Sequence, residues 1–277
     1  MANYTFETMT QTDATAFAST DTLNFSGSNA SGAQVIYNAA TATAVESVTV
    51  IVGAKSLTFS VSALSGAKSA GNSVTGAFDF GDGSQLYVGT TGNDTAFTGA
   101  GTADGAYGLA GNDTINGGAG ADFIQGNLGN DNLDGGTGND TIYGGQGTDT
   151  LTGGTGSNFL QGNLGDDVLT TSTSTASNTI YGGQGTDSIT GGSGADLILG
   201  DLGNDTVSGG GGSDSISGGE GTDTVSDVLA ASTEAATVSG GNGADTLSVT
   251  GAVGSATVTG DAGNDTITVS LPASPVT

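Results

Sequence analysis

The sequence predicts an all-β solenoid: short parallel strands stacked in coils, closed at the N-terminal end by a small β domain. Three observations carry that expectation. A nine-residue pattern of glycine, aspartate and one aliphatic residue recurs through residues 89–268, and self-similarity at a fixed period marks stacked repeat architectures. Leu, Ile, Val and Phe make up only 54 of 277 residues, against 53 glycines. With a formal charge of −26, that is the composition of a disordered chain, so something outside the sequence must supply the missing stability. Ahead of the repeat, residues 21–88 hold short runs of alternating apolar residues, the pattern of half-buried strands.

Residues 1–20 are polar and Thr-rich, and read either as a tail or as a strand donated to a neighbouring molecule. In 21–88 the strands are expected in DTLNFSG, AQVIYNA, ESVTVIVG, KSLTFSV and SQLYVG, with SALSGAKSAG as one helical turn or a loop. Both lysines, Lys55 and Lys68, lie here. A solenoid needs its end covered, and this segment is expected to cover the first coil. Asp79 and Asp82 are the one acidic pair outside the repeat, and the Asp-Gly step there reads as a turn.

From Gly117 the chain runs GGAGADFIQ, GNLGNDNLD, GGTGNDTIY, GGQGTDTLT, GGTGSNFLQ, GNLGDDVLT. After a two-residue insertion it continues TSTASNTIY, GGQGTDSIT, GGSGADLIL, GDLGNDTVS, GGGGSDSIS, GGEGTDTVS, and single units begin at Gly89, Gly108, Gly240 and Gly260. Glycine at positions 1 and 4 is expected to allow positive φ and a tight turn. The sixth-position aspartate adds a carboxylate, and oxygen-only donors suit Ca²⁺. Position 8 then buries one aliphatic side chain on a three-residue strand, from Ile115 and Ile124 to Ile216 and Val225. Two units make a coil of 18 residues, and coils stack at the strand spacing of about 4.8 Å. Carboxylates about 5 Å apart repel by roughly 3 kcal/mol at an effective dielectric of 20. A cation between coils reverses that sign, so metal binding and folding are expected to be one event.

Alternate units fall on opposite sides. One side keeps its aspartate in every turn: Asp94, Asp113, Asp131, Asp149, Asp167, Asp187, Asp205, Asp223, Asp245 and Asp265. The other has Asp122, Asp140, Asp196 and Asp214, but Asn158, Asn178, Ala236 and Ala256 stand at the same position in other units. Insertions near 98, 171–172, 227–230 and 249–250 fall on this second side. The first side reads as a continuous metal ladder, the second as an interrupted one. Positions 7 and 9 point outward by strand alternation. After turns of the interrupted side they include Tyr107, Phe123, Tyr143, Phe159, Tyr181, Leu197 and Leu199; after the others they are polar, except Phe97 and Val168. Such a stripe is either a partner surface or a set of intrachain ladders.

The pattern G-G-x-G-x-D-x-U-x, with U aliphatic, resembles the calcium-binding nonapeptide of the RTX family over residues 89–268. The resemblance implies a right-handed parallel β-roll, multiple bound Ca²⁺, and an extracellular protein exported by type I secretion through an uncleaved C-terminal signal. Residues 269–277, poor in charge, are compatible with the end of such a signal. The join FGDGSQLYVGTTGNDT resembles a lead-in of some bacterial RTX surface proteins.

Composition narrows function further. With no His and no Cys there is no Ser-His-Asp or Cys-His nucleophile, no thiolate or imidazole metal site and no H-E-x-x-H, so an enzyme is not expected. Two basic residues against 28 acidic ones argue against nucleic acid and anionic membranes as partners. No run approaches the roughly 18 apolar residues of a membrane helix. The expected function is a secreted structural protein that folds on Ca²⁺ and assembles with itself as an S-layer, filament or biofilm-matrix component. A monomeric adhesin or binding module is the alternative, with cell-surface polysaccharide as a candidate partner.

Overall fold

The computed structural model describes residues 84–95, 97–99, 101–231, 233–251 and 254–271, together with 9–11, 14 and the strands named below from the first 83 residues. Almost every described segment is β-strand or turn. The chain forms two compact units, Met1–Gly135 and Gly136–Thr277.

In the first unit, Asn3–Thr5 pairs in parallel with Thr22–Asn24, and most of the other residues of the 1–20 segment lie outside the described residues. Ala33–Asn38, Ser47–Val52 and Lys55–Ser60 form an antiparallel sheet that buries Val35, Val50 and Leu57. These strands fall where alternation places them. The segment SALSGAKSAG lies outside the described residues. Ala77–Asp79 and Gln85–Val88 pair antiparallel; the Asp82-Gly83 step between them lies outside the described residues. Gln85–Val88 then switches partner and direction, pairing in parallel with Gly105–Ala110, which pairs with Phe123–Leu128. The first coil is thus templated by a hairpin strand. Facing it, Phe97–Thr98, Thr114–Asn116 and Asn132–Asp134 form the second parallel sheet.

In this unit Phe97 does not face outward, and Tyr107 keeps its outward place in the register but is covered. Phe97 is paired with Ile115, an eighth-position residue, is buried, and stacks on Tyr87 with ring centroids 4.9 Å apart. The extra residue therefore precedes Phe97 instead of following it, because a phenyl ring fills the first coil where alanine would leave a void. Tyr107 is only 2 % exposed. Its hydroxyl bonds the Val35 backbone and burial pushes its pKa up to about 12, so a strand of the N-terminal sheet covers it.

In the second unit, one parallel sheet contains Thr150–Thr152, Val168–Thr170, Ser188–Thr190, Thr206–Gly211, Thr224–Leu229, Thr246–Gly251 and Thr266–Ser270 in that order. The other contains Thr141–Gln146, Phe159–Leu164, Thr179–Gln184, Leu197–Leu202, Ser215–Glu220, Ala235–Gly243 and Ser255–Gly263. Registers set like on like: Leu151 opposite Leu169, Leu160 opposite Ile180, Ile180 opposite Ile198. These eighth-position chains are fully buried between the sheets, a core one aliphatic residue wide per strand. The repeat predicts these eighth-position residues, and Leu229 and Val249, in the insertions, add to the core beyond it. Thr266–Ser270 is the last strand among the described residues, and there Ile267 and Val269 are 46 % and 49 % exposed.

Candidate metal centre

Most turns begin with glycine and end with aspartate, and where both are present they are a matched pair. Positive φ occurs at positions 2 and 4, as in Gly183 (116°) and Gly185 (138°), and not at the first-position Gly182. The expectation for position 1 is thereby corrected. That glycine is required for space: a Cβ on Gly182 would strike the Asp187 carboxylate and the Gly200 carbonyl of the next coil. Position 2 tolerates Asn163 (79°) and Asp201 (74°), residues whose short polar side chains accept the left-handed region.

The sixth-position residues form lines with one recurrent bond. On the complete side of the second unit, the N–H of Asp149 donates to Asp167 Oδ1, that of Asp167 to Asp187, that of Asp187 to Asp205, that of Asp205 to Asp223 and that of Asp223 to Asp245, each at 2.8 Å. Asp265 ends the line, accepting from Asp245 at 3.1 Å. On the same side of the first unit Asp113 accepts from Asp94 and Asp131 from Asp113, both at 2.8 Å. From Asp113 on, each of these carboxylates secures the coil before its own, whereas the Asp94 carboxylate accepts from the Thr90 N–H of its own turn.

On the interrupted side of the second unit, Asn158 accepts from Asp140 at 2.9 Å and Asn178 from Asn158 at 3.0 Å, so both amides hold the place in the line. Asp196 follows at 2.7 Å and Asp214 at 2.8 Å. Asn178 Nδ2 also donates to Asp196 Oδ1 at 2.9 Å, a neutral link where two carboxylates would repel. Ala236 is buried with Val238 and Leu229 and ends the line.

In the first unit the interrupted side contains a member that sequence reasoning missed. Asp104 is 1 % exposed; its N–H donates to Asp122 Oδ1 and its own Oδ1 accepts from the Gln85 N–H, each at 2.7 Å. The signal was the 18-residue step back from Asp122. Position 5 adds a second bond of the same kind on both sides: on the complete side of the first unit Asn93 accepts from the Asn112 N–H and Asn112 from the Asn130 N–H, and on the interrupted side of the second Asn139 accepts from the Ser157 N–H, each at 2.9 Å.

One oxygen of each ladder carboxylate is thus used. The other, Oδ2, is buried and accepts no hydrogen bond in Asp113, Asp167, Asp187, Asp205, Asp223 and Asp245. A buried carboxylate oxygen without a donor is costly, and neighbouring charges add to it. Burial, against the opposing backbone N–H bond and with the charges of adjacent aspartates, pushes Asp113 and Asp167 up to about 7 and Asp187 and Asp205 up to about 6. These orphaned hard oxygens, aimed at glycines that leave room, fit Ca²⁺. Among the described residues no three acidic side chains converge on one point. The ladder carboxylates, with backbone carbonyl oxygens of the turns, would therefore hold the cation in an oxygen-only shell.

A pH prediction follows, with its sign. Folded-state pKa values above the unfolded value of about 3.9 mean that the metal-free fold binds more protons than the unfolded chain between about pH 4 and pH 7. Stability of the metal-free fold therefore rises as pH falls through that window. In chelator, circular dichroism should show more β structure at pH 4.5 than at pH 7.5; equal or smaller content at pH 4.5 contradicts the buried-carboxylate account.

The sequence profile described as RTX calcium-binding nonapeptide repeat (4 copies) matches residues 81–102, 107–142, 143–173, 172–207, 199–226, 226–249 and 250–269. It reaches back into the hairpin that starts the first coil. No curated protein matches the chain.

Proposed function

Because the chain belongs to the RTX calcium-binding nonapeptide-repeat family, and so binds multiple Ca²⁺, we propose that it is an extracellular structural protein, exported by type I secretion, that folds on Ca²⁺ and then assembles with copies of itself. An S-layer, filament or matrix component is the form this takes. The observation that supports assembly is the last coil. Among the described residues, Ser255–Gly263 and Thr266–Ser270 each stand at the edge of their sheet, and the apolar chains Ile267 and Val269 lie about half exposed there. A strand edge with apolar flanks is a pairing template, and a head-to-tail contact that does not close makes filaments.

The outer stripe has a smaller part. Tyr143, Phe159 and Tyr181 pack ring on ring, with centroids 5.6 and 5.7 Å apart, and Tyr107 meets Phe123 at 5.5 Å. These favour laddering within the chain. The apolar surface left on that face is aliphatic, Leu164, Leu197 and Leu202 at 39–47 % exposure, and is the proposed lateral contact. The binding-module reading is favoured by one feature, a groove of about 760 Å³ on the same face. Gln161, Asn163, Gln184, Asp201, Glu220 and Leu202 contribute to it, a mixture of amides, acids and aliphatic surface suited to a sugar chain. No catalytic role is proposed for it.

Electron microscopy and light scattering in millimolar Ca²⁺ test the reading. The unmodified protein should form filaments or sheets. Ile267→Lys with Val269→Lys should give a calcium-folded monomer, since the eighth-position core of every earlier coil is untouched. An unmodified protein that stays monomeric at high concentration in saturating Ca²⁺ removes assembly in favour of the binding module.

A further inference from the structure

The interrupted side changes chemistry over its last turns. The sixth-position column reads Asp196, Asp214, Ala236, Ala256, losing its carboxylate at the third member. The first-position column reads Gly191, Gly209, Asp227, Val249, because Ser208 is paired with Ser226 and Asp227 with Val249. Where one column loses an acid, the other gains one. Asp227 stands at a position held by glycine in the two preceding turns of this side.

Its surroundings are those of a site and not of a surface acid. Asp227 and Asp214 are each 1 % exposed. The Val228 N–H donates to Asp227 Oδ1 at 2.8 Å, and the Asp196 N–H to Asp214 Oδ1 at 2.8 Å. The remaining Oδ2 of both residues is buried and outside any hydrogen bond of good geometry, and the two carboxyls are close enough to bond each other when one is protonated. The two carboxyls share one space: a Cβ built on Gly209 would lie 2.6 Å from Asp227 Oδ1 and 2.7 Å from Asp214 Oδ2. Burial first, and the facing carboxyl second, raise Asp214 above the usual carboxylate range. Beyond Asp227 the side is dry, with Leu229, Ala236 and Val249 buried.

We infer that Asp214 and Asp227 together hold a hard divalent cation, Ca²⁺ in the family's medium, at the terminal site of the interrupted side. Asp227 supplies, from the first position, the carboxylate lost at Ala236. The sixth-position rule does not reach this residue, so a count of sites from the repeat omits it. The inference rests on calcium binding by the repeat and is independent of assembly.

Equilibrium dialysis with radioactive calcium on the full chain at saturating Ca²⁺ tests it. Asp227→Asn and Asp227→Gly should each bind one ion fewer than the unmodified protein. The double variant Asp227→Gly/Ala236→Asp restores the ordinary pairing of glycine and aspartate and should recover the lost ion. Unchanged stoichiometry in both single variants overturns the inference and leaves a proton-sharing carboxyl pair. If the single variants fail to fold, the double variant decides: recovery of fold and full count supports the site, and anything less overturns it. An unmodified protein that binds no calcium removes the premise as well, which separates the two failures.

Discussion

Chelating Ca²⁺ at neutral pH unfolds the repeat: β ellipticity is lost and the chain expands toward the radius of gyration of about 58 Å expected of an unfolded chain this long. The reason lies in the arithmetic of the coil. Each strand contributes one buried aliphatic residue, such as Leu169 or Ile180, against nine residues ordered per repeat, at a backbone entropy of about 1–2 kcal/mol each. Buried Oδ2 atoms at Asp167, Asp187, Asp205 and Asp223 then oppose stacking. Calcium removes the second term and adds its own binding energy to folding. The midpoint should lie near the roughly 10⁻⁴–10⁻³ M of extracellular calcium modules, and Mg²⁺ should substitute poorly because it demands tight octahedral geometry. Identical circular dichroism with and without chelator would end this account.

The second large effect is local. Asp187→Ala should lower the thermal midpoint in Ca²⁺ by several degrees and raise the calcium midpoint of folding. The alanine removes a ligand and strands the Asp167 N–H, which donates to Asp187 at 2.8 Å; a buried donor left alone costs about 1–3 kcal/mol. For domains of this size about 1 kcal/mol corresponds to roughly 2–4 °C. Asp187→Asn should be milder, because Asn158 and Asn178 already serve as acceptors in the equivalent line. Asp265→Ala should be milder again, since it accepts a longer bond of 3.1 Å in the exposed last coil. Equal calcium midpoints for Asp187→Ala and Asp265→Ala would show that the carboxylates do not act as a coupled line.

What the sequence discloses follows from how each feature is written in it. The aliphatic core and the aspartate lines are written once per unit, so Leu133, Ile198, Asp167 and Asp205 could be placed by counting in nines. Features that depend on a neighbour in the stack are not. Asp104 escaped because its unit, GAGTADGAY, lacks the second glycine and carries Ala106 at position 8; Tyr87 and the N-terminal sheet make up the lost apolar volume there. Phe97 was misfaced because a one-residue insertion reverses which side of the sheet a chain takes. The first-position glycine looked like a turn residue, and only the Asp187 carboxylate beside Gly182 reveals a demand for volume. Asp227 sits in what reads as an insertion, and the registers of its strand with the strands on either side give it a role.

The backward reach of each aspartate gives the roll a boundary term. Asp187 completes Asp167, Asp205 completes Asp187, and Asp265 completes Asp245, but Asp265 has no successor among the described residues. Whatever the number of coils, one is always unfinished, and its deficit does not grow with length. Each inserted coil, by contrast, adds the same increment, as expected when repeats interact only with nearest neighbours. Stability should then rise as a straight line in coil number with a negative intercept. Below some minimum number of coils no calcium concentration suffices; above it, duplicating the pair GGQGTDSIT and GGSGADLIL adds a constant step.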